Sequence, residues 1–333
     1  TNQLGALLKM KIYDVAFLGM GASALATAKL KYKETSISLI GIDKNYHSRR
    51  NNFFAFWLTD WMKDFDSLAQ KKWFCWNFYL TNNHIKHETK DLPYCTIRYQ
   101  DWKNYCLKGL ENLSIKEFNV QSITNLKKYY EIKLENGEEI FAKKIYDSRT
   151  PKLENEKVKQ HFFGYLIETK QMINSNSVTL MDFRVEQKMG LHFMYCLPID
   201  ENRMLVESTV FSSEIQEDDW YQKQILEYIE TKLNLSEYKI VDEEKGALPM
   251  YDIENKSSEN YINIGSRGGA TKISTGYAFS FFLKNIMLNF ENINKAHHSY
   301  FDKWMDKVFV NYLQNNSGTE KVFINMALSL IHI

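Results

Sequence analysis

The chain has 333 residues, 44% of them hydrophobic and 25% charged, with a formal net charge of +1. That length allows about two domains with a sizeable core, and the neutral balance leaves no electrostatic footprint for nucleic acid. No run reaches the ~18 apolar residues of a membrane span, and the four cysteines (Cys75, Cys95, Cys106, Cys196) form no CxxC pair, which argues against a zinc or disulfide framework and for a reducing cytosol.

The first nine residues lack the apolar core and cleavage site of a signal peptide. The chain begins at Thr1, and Met10 is expected as the true start, because a strand follows it at once. Residues 12–18, IYDVAFL, read as that buried strand. Gly19-Met20-Gly21-Ala22-Ser23-Ala24 follows, then a helical pattern to about Lys31, then a second buried strand over residues 36–42 that ends at Asp43. Strand, G-x-G-x-x-A, helix, strand and acid together form a dinucleotide-binding unit. The glycines permit a tight turn and close approach to a pyrophosphate, and the helix N-terminus offers free N–H groups. Asp43 lies 24 residues after Gly19, where an acid reaches a ribose hydroxyl.

Residues 44–94 read as irregular and rich in aromatics (Phe53, Phe54, Phe56, Trp57, Trp61, Trp73, Trp76). They serve either as core or as a binding wall for a large apolar ligand. His84 and His87 form an HxxH in a polar stretch, read as a solvated loop rather than a metal site. A helix is expected near Trp102–Leu113. A hairpin around Asn136-Gly137 pairs Tyr129–Leu134 with Glu139–Ile145 and runs into Asp147-Ser148-Arg149.

Residues 151–177 are a transition in which Gln160–Gly164 opens a new strand. Val178–Gln187, Leu191–Leu197 and Arg203–Phe211 then alternate apolar and polar side chains, the period of half-buried strands in an antiparallel meander. Alternation puts Leu205, Glu207, Thr209 and Phe211 on one face. Glu207 is thus a carboxylate among mostly apolar neighbours: either a water-facing or ion-paired Glu, or an acid held neutral by desolvation and ready to give a proton. Asp182, Arg184 and Glu186 share a face of the first strand, where they can pair with each other.

Trp220–Leu233 is an amphipathic helix, and EKGALPM (residues 244–250) reads as a short connection. Tyr261–Ile264 is a strand leading into GSRGGATKISTGYAF. That Gly-rich loop should feed a helix capped by Ser274 or Thr275, bringing a second helix N-terminus near the cofactor; the alternative is an ordinary loop before a helix. Val322–Ile333 is an apolar run with no stop signal, so the chain is expected to continue. No internal repeat or linker appears, which makes the cofactor domain discontinuous in sequence.

With these residues placed, the chain resembles the flavoprotein lycopene cyclases of bacterial carotenoid synthesis. The family's Asp-x-Arg and Gln-x-Phe-x-Gly are met by Asp147-Ser148-Arg149 and Gln160–Gly164. Its Leu-Met-Asp is met by Leu180-Met181-Asp182, and its Leu-Pro then Leu-hydrophobic-Glu-x-Thr by Leu197-Pro198 and Leu205–Thr209. Glu244–Met250 meets its Glu-x-Gly-x-hydrophobic-Pro-Met. Ile264–Gly269 and Ser274–Tyr277 meet its Ile-Gly-x-x-Gly-Gly and Ser-Thr-Gly-Tyr. Two departures stand out: Ile273 replaces a usual Pro, and Arg50-Asn51-Asn52-Phe53-Phe54 replaces the usual Asn-Asp-Arg/Lys-Thr-Trp.

The resemblance implies an α/β fold like that of flavin monooxygenases and geranylgeranyl reductases: a Rossmann-like FAD-binding domain with an inserted antiparallel-sheet substrate domain. The expected division is 10–57, 95–150 and 256–295 for FAD, 58–94 and 151–255 for substrate, and a C-terminal helical segment over 296–333. FAD is expected at Gly19, Gly21, Ala24 and Asp43, with Gly268, Gly269 and Thr275 near the flavin. The resemblance also implies reduced FAD, NAD(P)H as electron source, no metal, and lycopene as substrate, cyclised to β rings without net redox change. It makes Glu207 the match to the catalytic glutamate. Asp182 is a second candidate for a direct role, or a structural partner for Arg184.

A C40 hydrocarbon must be drawn from a bilayer, so the expected location is cytoplasmic, peripheral on the inner face of the cell membrane, with residues 53–76 and the C-terminal apolar run as contacts. The alternatives are an FAD-dependent hydroxylase or prenyl reductase of the same fold, or a non-catalytic flavin- or carotenoid-binding protein. IGSRGG lacks the Gly-Asp common in the hydroxylases, and the intact Glu207 argues against the non-catalytic reading.

Overall fold

The computed structural model describes residues 11–48, 52–288, 297–316 and 318–329. Met10, Arg50, Asn51 and the last four residues of the C-terminal apolar run lie outside the described residues.

β1 (Ile12–Leu18), α1 (Ala22–Tyr32) and β2 (Leu39–Ile42) form the expected unit, β1 and β2 pairing in parallel. β2 starts later than the sequence pattern indicates. The Asp14 carboxylate accepts from the Ser38 N–H at 2.9 Å and its hydroxyl at 2.7 Å, while the Asp14 and Val15 N–H groups both donate to the Ser38 carbonyl, a clamp in place of the regular one-to-one ladder.

Residues 44–94 are a correction: they are not irregular. They hold β3 (Phe53–Trp57), a 3₁₀ helix (Asp60–Leu68), β4 (Lys71–Trp73), β5 (Cys75–Leu80) and β6 (Asn83–Glu88). β3 is covered on both faces: Phe54 and Phe56 pack under the helices of the first domain, while Phe53, Ala55 and Trp57 pack toward the second. Two-sided burial removes the alternation that marks a strand. The HxxH lies on β6, not in a loop, and among the described residues no group of three or more His, Cys, Asp or Glu is placed to hold a metal.

β7 (Tyr94–Arg98) leads into α2 (Tyr99–Leu107). The helix stops short of Leu113 because Gly109 turns the chain at φ +79°. β8 (Leu113–Lys116), β9 (Val120–Asn125), β10 (Tyr130–Leu134) and β11 (Glu139–Asp147) follow. The insertion then comprises β12 (Lys159–Thr169), β13 (Val178–Asp182), β14 (Leu191–Pro198), β15 (Arg203–Ser212), α3 (Asp218–Thr231) and β16 (Tyr238–Pro249). β13 ends at Asp182 rather than Gln187, because Arg184 N–H folds back onto the Asp182 carboxylate and the Gln187 amide holds the loop through the carbonyls of Phe183, Val185 and His192. EKGALPM is likewise no connection: it ends β16, a strand paired along its length with β12. Its charges suit a sheet edge and hide the strand from a periodicity search.

β17 (Tyr261–Asn263) returns to pair with β11, so everything between is inserted into the first sheet, whose order is β8-β2-β1-β11-β10-β9 with β17 beside β11. A short 3₁₀ turn (Gly265–Gly268), α4 (Phe279–Leu288), α5 (Tyr300–Asn315) and α6 (Glu320–Ser329) complete the chain. α4 begins beyond the expected Ser274 or Thr275 cap. Gly276 sits at φ +74°, and bonds from Gly276 N–H and Lys272 N–H to the Lys272 and Tyr277 carbonyls close a turn instead.

The second sheet runs β16-β12-β15-β14-β13-β5-β6, and β3-β7-β4 form a small third sheet. α3 covers one face of the second sheet through Tyr221, Ile225, Tyr228 and Ile229. Leu205 and Phe211 belong to the clusters on the other face.

Candidate active site

Two glycine loops meet at the start of α1. Gly19 adopts φ +77°, and a Cβ there would lie 3.0 Å from Ser148 Oγ and 3.2 Å from Arg149 N, so no other residue suits the turn. Gly21 caps α1, and a Cβ on it would meet nothing within 4 Å. Ala24 is fully buried beneath. Asp43 accepts from Met20 N–H at 2.8 Å and Asn45 N–H at 2.9 Å, which fixes its carboxylate beside the turn.

The second loop packs Gly265 against Ser23 of α1. Gly268 has no room for a side chain, since a Cβ would lie 2.5 Å from Asn263 O; Gly269, at φ +82°, faces open space. Thr275 Oγ1 and Gln160 Oε1 are buried without a partner among the described residues. Open space beside a helix N-terminus, a fixed acid and orphaned polar atoms nearby together fit a dinucleotide such as FAD.

Asp147 holds the two loops in register. It is fully buried and pairs with Arg149 through both oxygens (3.0 and 2.7 Å), with Tyr261 OH at 2.7 Å and with Arg267 of the second loop at 3.1 Å. Ser148 Oγ donates to the Gly19 carbonyl at 2.9 Å. The sequence pattern marked Asp147-Ser148-Arg149 but not this joining role.

Glu207 is 8% exposed on the second sheet. Its register neighbours are Gly164 on β12 and Tyr195 on β14, and Thr209 Oγ1 donates to its Oε1 at 2.5 Å. Burial, and secondarily the charge of Glu244, push the Glu207 carboxyl up to about 8, while the Thr209 bond pulls it back. Glu244 follows Gly164 in the same cross-strand row. Burial raises it to about 7 against the pull of Phe53 N–H and of Asn52 Nδ2, 3.3 Å away.

Tyr94 OH contacts Tyr195 OH at 2.8 Å and Tyr277 OH at 3.1 Å. Burial raises all three phenols, and the Glu207 charge adds to the rise of Tyr195 and Tyr277. A chain of neutral hydroxyls thus runs from Tyr195, beside Glu207, to the end of the second glycine loop. Trp57 packs 4.4 Å from Trp76 and 4.7 Å from Tyr94, centroid to centroid, and makes the surroundings apolar.

Asp182 stands elsewhere. It pairs in register with Met194, whose side chain lies under α3, so it points to the opposite face from Glu207. Its oxygens are taken by Arg184 (2.9 and 2.6 Å) and by Tyr228 OH of α3 at 2.7 Å. That position ties the sheet to its covering helix. The sequence assigns no site role to Glu244, Asn52 or the three tyrosines, although Glu244 and Tyr277 stand in family motifs. The Glu244 motif was visible but sat in a segment read as a connection.

A family model described as lycopene cyclase protein matches residues 14–308. A chloroplastic neoxanthin synthase of Solanum tuberosum is 22% identical over 298 residues, 80% of this chain and 57% of that protein. A lycopene beta-cyclase of Pseudescherichia vulneris is 28% identical over 155 residues, 44% of this chain and 40% of that protein. The chain thus spans about half the length of the curated relatives it matches. Among solved structures, a geranylgeranyl bacteriochlorophyll reductase-like protein of Thermoplasma acidophilum superposes with a TM-score of 0.66 at 11% identity, over 90% of this chain and 83% of its own. A p-nitrophenol 4-monooxygenase of Pseudomonas putida gives 0.61 at 11% identity over 96% and 98%. The halogenase PltM in complex with FAD gives 0.59 at 10% over 90% and 73%. These likenesses show the fold: a Rossmann-like domain carrying an inserted antiparallel sheet.

Proposed function

Because the chain belongs to the lycopene cyclase family, we propose that it closes the ψ end groups of lycopene to β rings, giving γ-carotene and β-carotene, with no net redox change. The observation that carries this reading is Glu207: a carboxyl nearly excluded from water, on the face of the inserted sheet that looks toward the aromatic cluster. Its raised pKa keeps a proton on it at neutral pH. Glu207 gives that proton to C2 of the C1=C2 double bond. The cation at C1 is attacked by the C5=C6 double bond, and a proton leaves C6. Trp57, Trp76 and the neighbouring phenols exclude the water that would trap the cation. Reduced FAD, kept reduced by NAD(P)H, would supply negative charge that stabilises the cation.

In this reading Gly19, Gly21, Ala24 and Asp43 hold the dinucleotide, and Gly268, Gly269 and Thr275 lie near the flavin end. The cofactor unit comprises 10–57, 95–150 and 256–295. Asp182 anchors α3 and takes no part in proton transfer. Expression in a lycopene-accumulating bacterial host tests the function: cyclised carotenoid should replace lycopene, and unchanged lycopene in cells making folded, yellow protein would refute it.

Gly21→Val places a side chain in the open space before α1 without backbone strain, since φ there is −76°. The purified variant should lose most of its flavin with little change in thermal stability of the apoprotein. Wild-type occupancy would place the pyrophosphate elsewhere.

The membrane contact is proposed on α5. Segment 53–76 is mostly packed inside; Phe74, 45% exposed, is its most exposed large apolar side chain. On α5, by contrast, Tyr300, Trp304, Val308 and Tyr312 recur every four residues on one outward face, flanked by Phe301 and Met305, all exposed. Such an aromatic stripe suits a bilayer interface, and among the described residues no helix is long and apolar enough to cross a membrane. The protein should float with liposomes, and Phe301→Ser with Trp304→Ser should leave most of it in the soluble fraction. Equal flotation of the double variant would move the contact elsewhere.

A further inference from the structure

The register of the second sheet lines up Glu244 on β16, Gly164 on β12 and Glu207 on β15 in one cross-strand row. Paired residues point to the same face, so both carboxylates rise from the same side. Their strands are two spacings apart, ~10 Å, and the residue between them is a glycine. A Cβ at Gly164 would lie 3.4 Å from Glu207 Cβ and 3.3 Å from Leu205 Cδ1. With no side chain there, the two carboxylates can lean toward each other across a gap only a hydrogen atom fills.

Their partners differ in kind. Glu244 receives two N–H donors, from Asn52 Nδ2 and the Phe53 backbone, which suit an ionised carboxylate. Glu207 receives one hydroxyl, from Thr209. We propose that Glu207 and Glu244 form a one-proton pair, in which ionised Glu244 acts through its charge to keep the proton on Glu207. Glu244 is therefore a positioning residue, and the inference rests on the cyclase reading. The balance closes without a co-reactant. The pair gives one proton to C2, regains one as C6 loses its own, and begins the next turnover with the same single proton.

Burial is the first cause that raises both carboxyls, and the Glu244 charge adds to the rise of Glu207. The other titratable groups around the pair are Tyr94, Tyr195 and Tyr277, which burial keeps neutral. Cys196 lies on the sheet's other face, its thiol also raised by burial. Asp242, further along β16, adds a like charge to Glu244.

The test is the pH profile of lycopene turnover by the flavin-loaded protein, wild type against Glu244→Gln, with Glu207→Gln as reference. Activity needs protonated Glu207, so the wild-type rate should fall as pH rises through about 8. Removing a neighbouring charge should lower that alkaline limb by about one unit. Glu244→Gln should then match wild type at pH 6 and run roughly tenfold slower at pH 9, a one-unit shift being a tenfold change in protonated fraction. Glu244→Asp, which keeps the charge, should restore the limb. If Gln is not tolerated, Glu244→Met gives a second neutral side chain of similar length at this edge strand. A limb unmoved in the neutral variants, or an equal loss at every pH, overturns the pair while an inactive Glu207→Gln leaves the cyclase reading standing. An active Glu207→Gln overturns the pair together with Glu207 as the acid, and a wild-type protein that leaves lycopene unchanged overturns the cyclase reading itself.

Discussion

Glu207→Gln should cut lycopene conversion by about 10²–10⁴-fold, the range a positioned proton donor contributes, while flavin content stays at the wild-type level. The amide keeps the size of the carboxyl and can still accept the Thr209 hydroxyl, so packing on the sheet face is preserved. What disappears is the proton. Glu207→Asp should retain a little activity, because the acid remains but sits one methylene short. Stability should respond in the opposite sense. The folded-state pKa of Glu207 is raised above its ordinary 4.5 to about 8. A protonated Glu207 is therefore well accommodated at low pH, and stability is lost as pH rises from about 5 through 8, where the buried carboxyl must ionise. Glu207→Gln should escape that loss, and its Tm at pH 9 should equal or exceed that of wild type. Conversion above about a tenth of the wild-type rate, well outside the proton-donor range, would show that another group is the acid.

Asp147→Ala should produce the largest loss of stability. It leaves Arg149, Arg267 and the Tyr261 hydroxyl around a vacated anion site, with Arg149 and Arg267 themselves about two-thirds buried. Removing one partner of a buried pair typically costs about 3–5 kcal/mol, which corresponds to a Tm fall of about 4–7 °C in a chain of this size. The same change loosens the second glycine loop from the first, so flavin should be lost with stability. Asp147→Asn, which keeps the shape and one acceptor, should fall between. A Tm within about 2 °C of wild type, below the cost expected for a broken buried pair, would show that the arginines are satisfied by other means.

These effects fall on residues that the sequence reveals to different degrees. The β1 turn and Asp43 are legible, because a buried parallel strand reads as a continuous apolar run and the glycines that follow answer a local steric demand at Gly19. The face of Glu207 is legible for the same local reason, since alternation along Arg203–Phe211 survives wherever one side meets α3 and the other does not. β3 escapes notice because both of its faces are buried, and β16 because an edge strand carries charge. Thr275 reads as a helix cap until Gly276, at φ +74°, turns the chain before α4 begins. Least legible is the hydroxyl chain. Tyr94 reaches Tyr195 across 101 positions and Tyr277 across 183, and no local pattern joins residues so far apart. Glu244 is hidden in the same way, since its place beside Glu207 depends on Gly164 standing between their strands.

In the proposed reaction this fold moves a proton and no electrons through its substrate. Turnover of lycopene in heavy water, with the flavin pre-reduced and NAD(P)H consumption followed, tests it most directly. Glu207 exchanges its proton for a deuteron, C2 receives that deuteron, and C6 releases hydrogen. The product should therefore gain one mass unit for each ring closed, with no stoichiometric use of NAD(P)H. A product carrying two added hydrogens or an oxygen atom, with one NAD(P)H consumed per turnover, would contradict the account and point to a reductase or hydroxylase on the same fold.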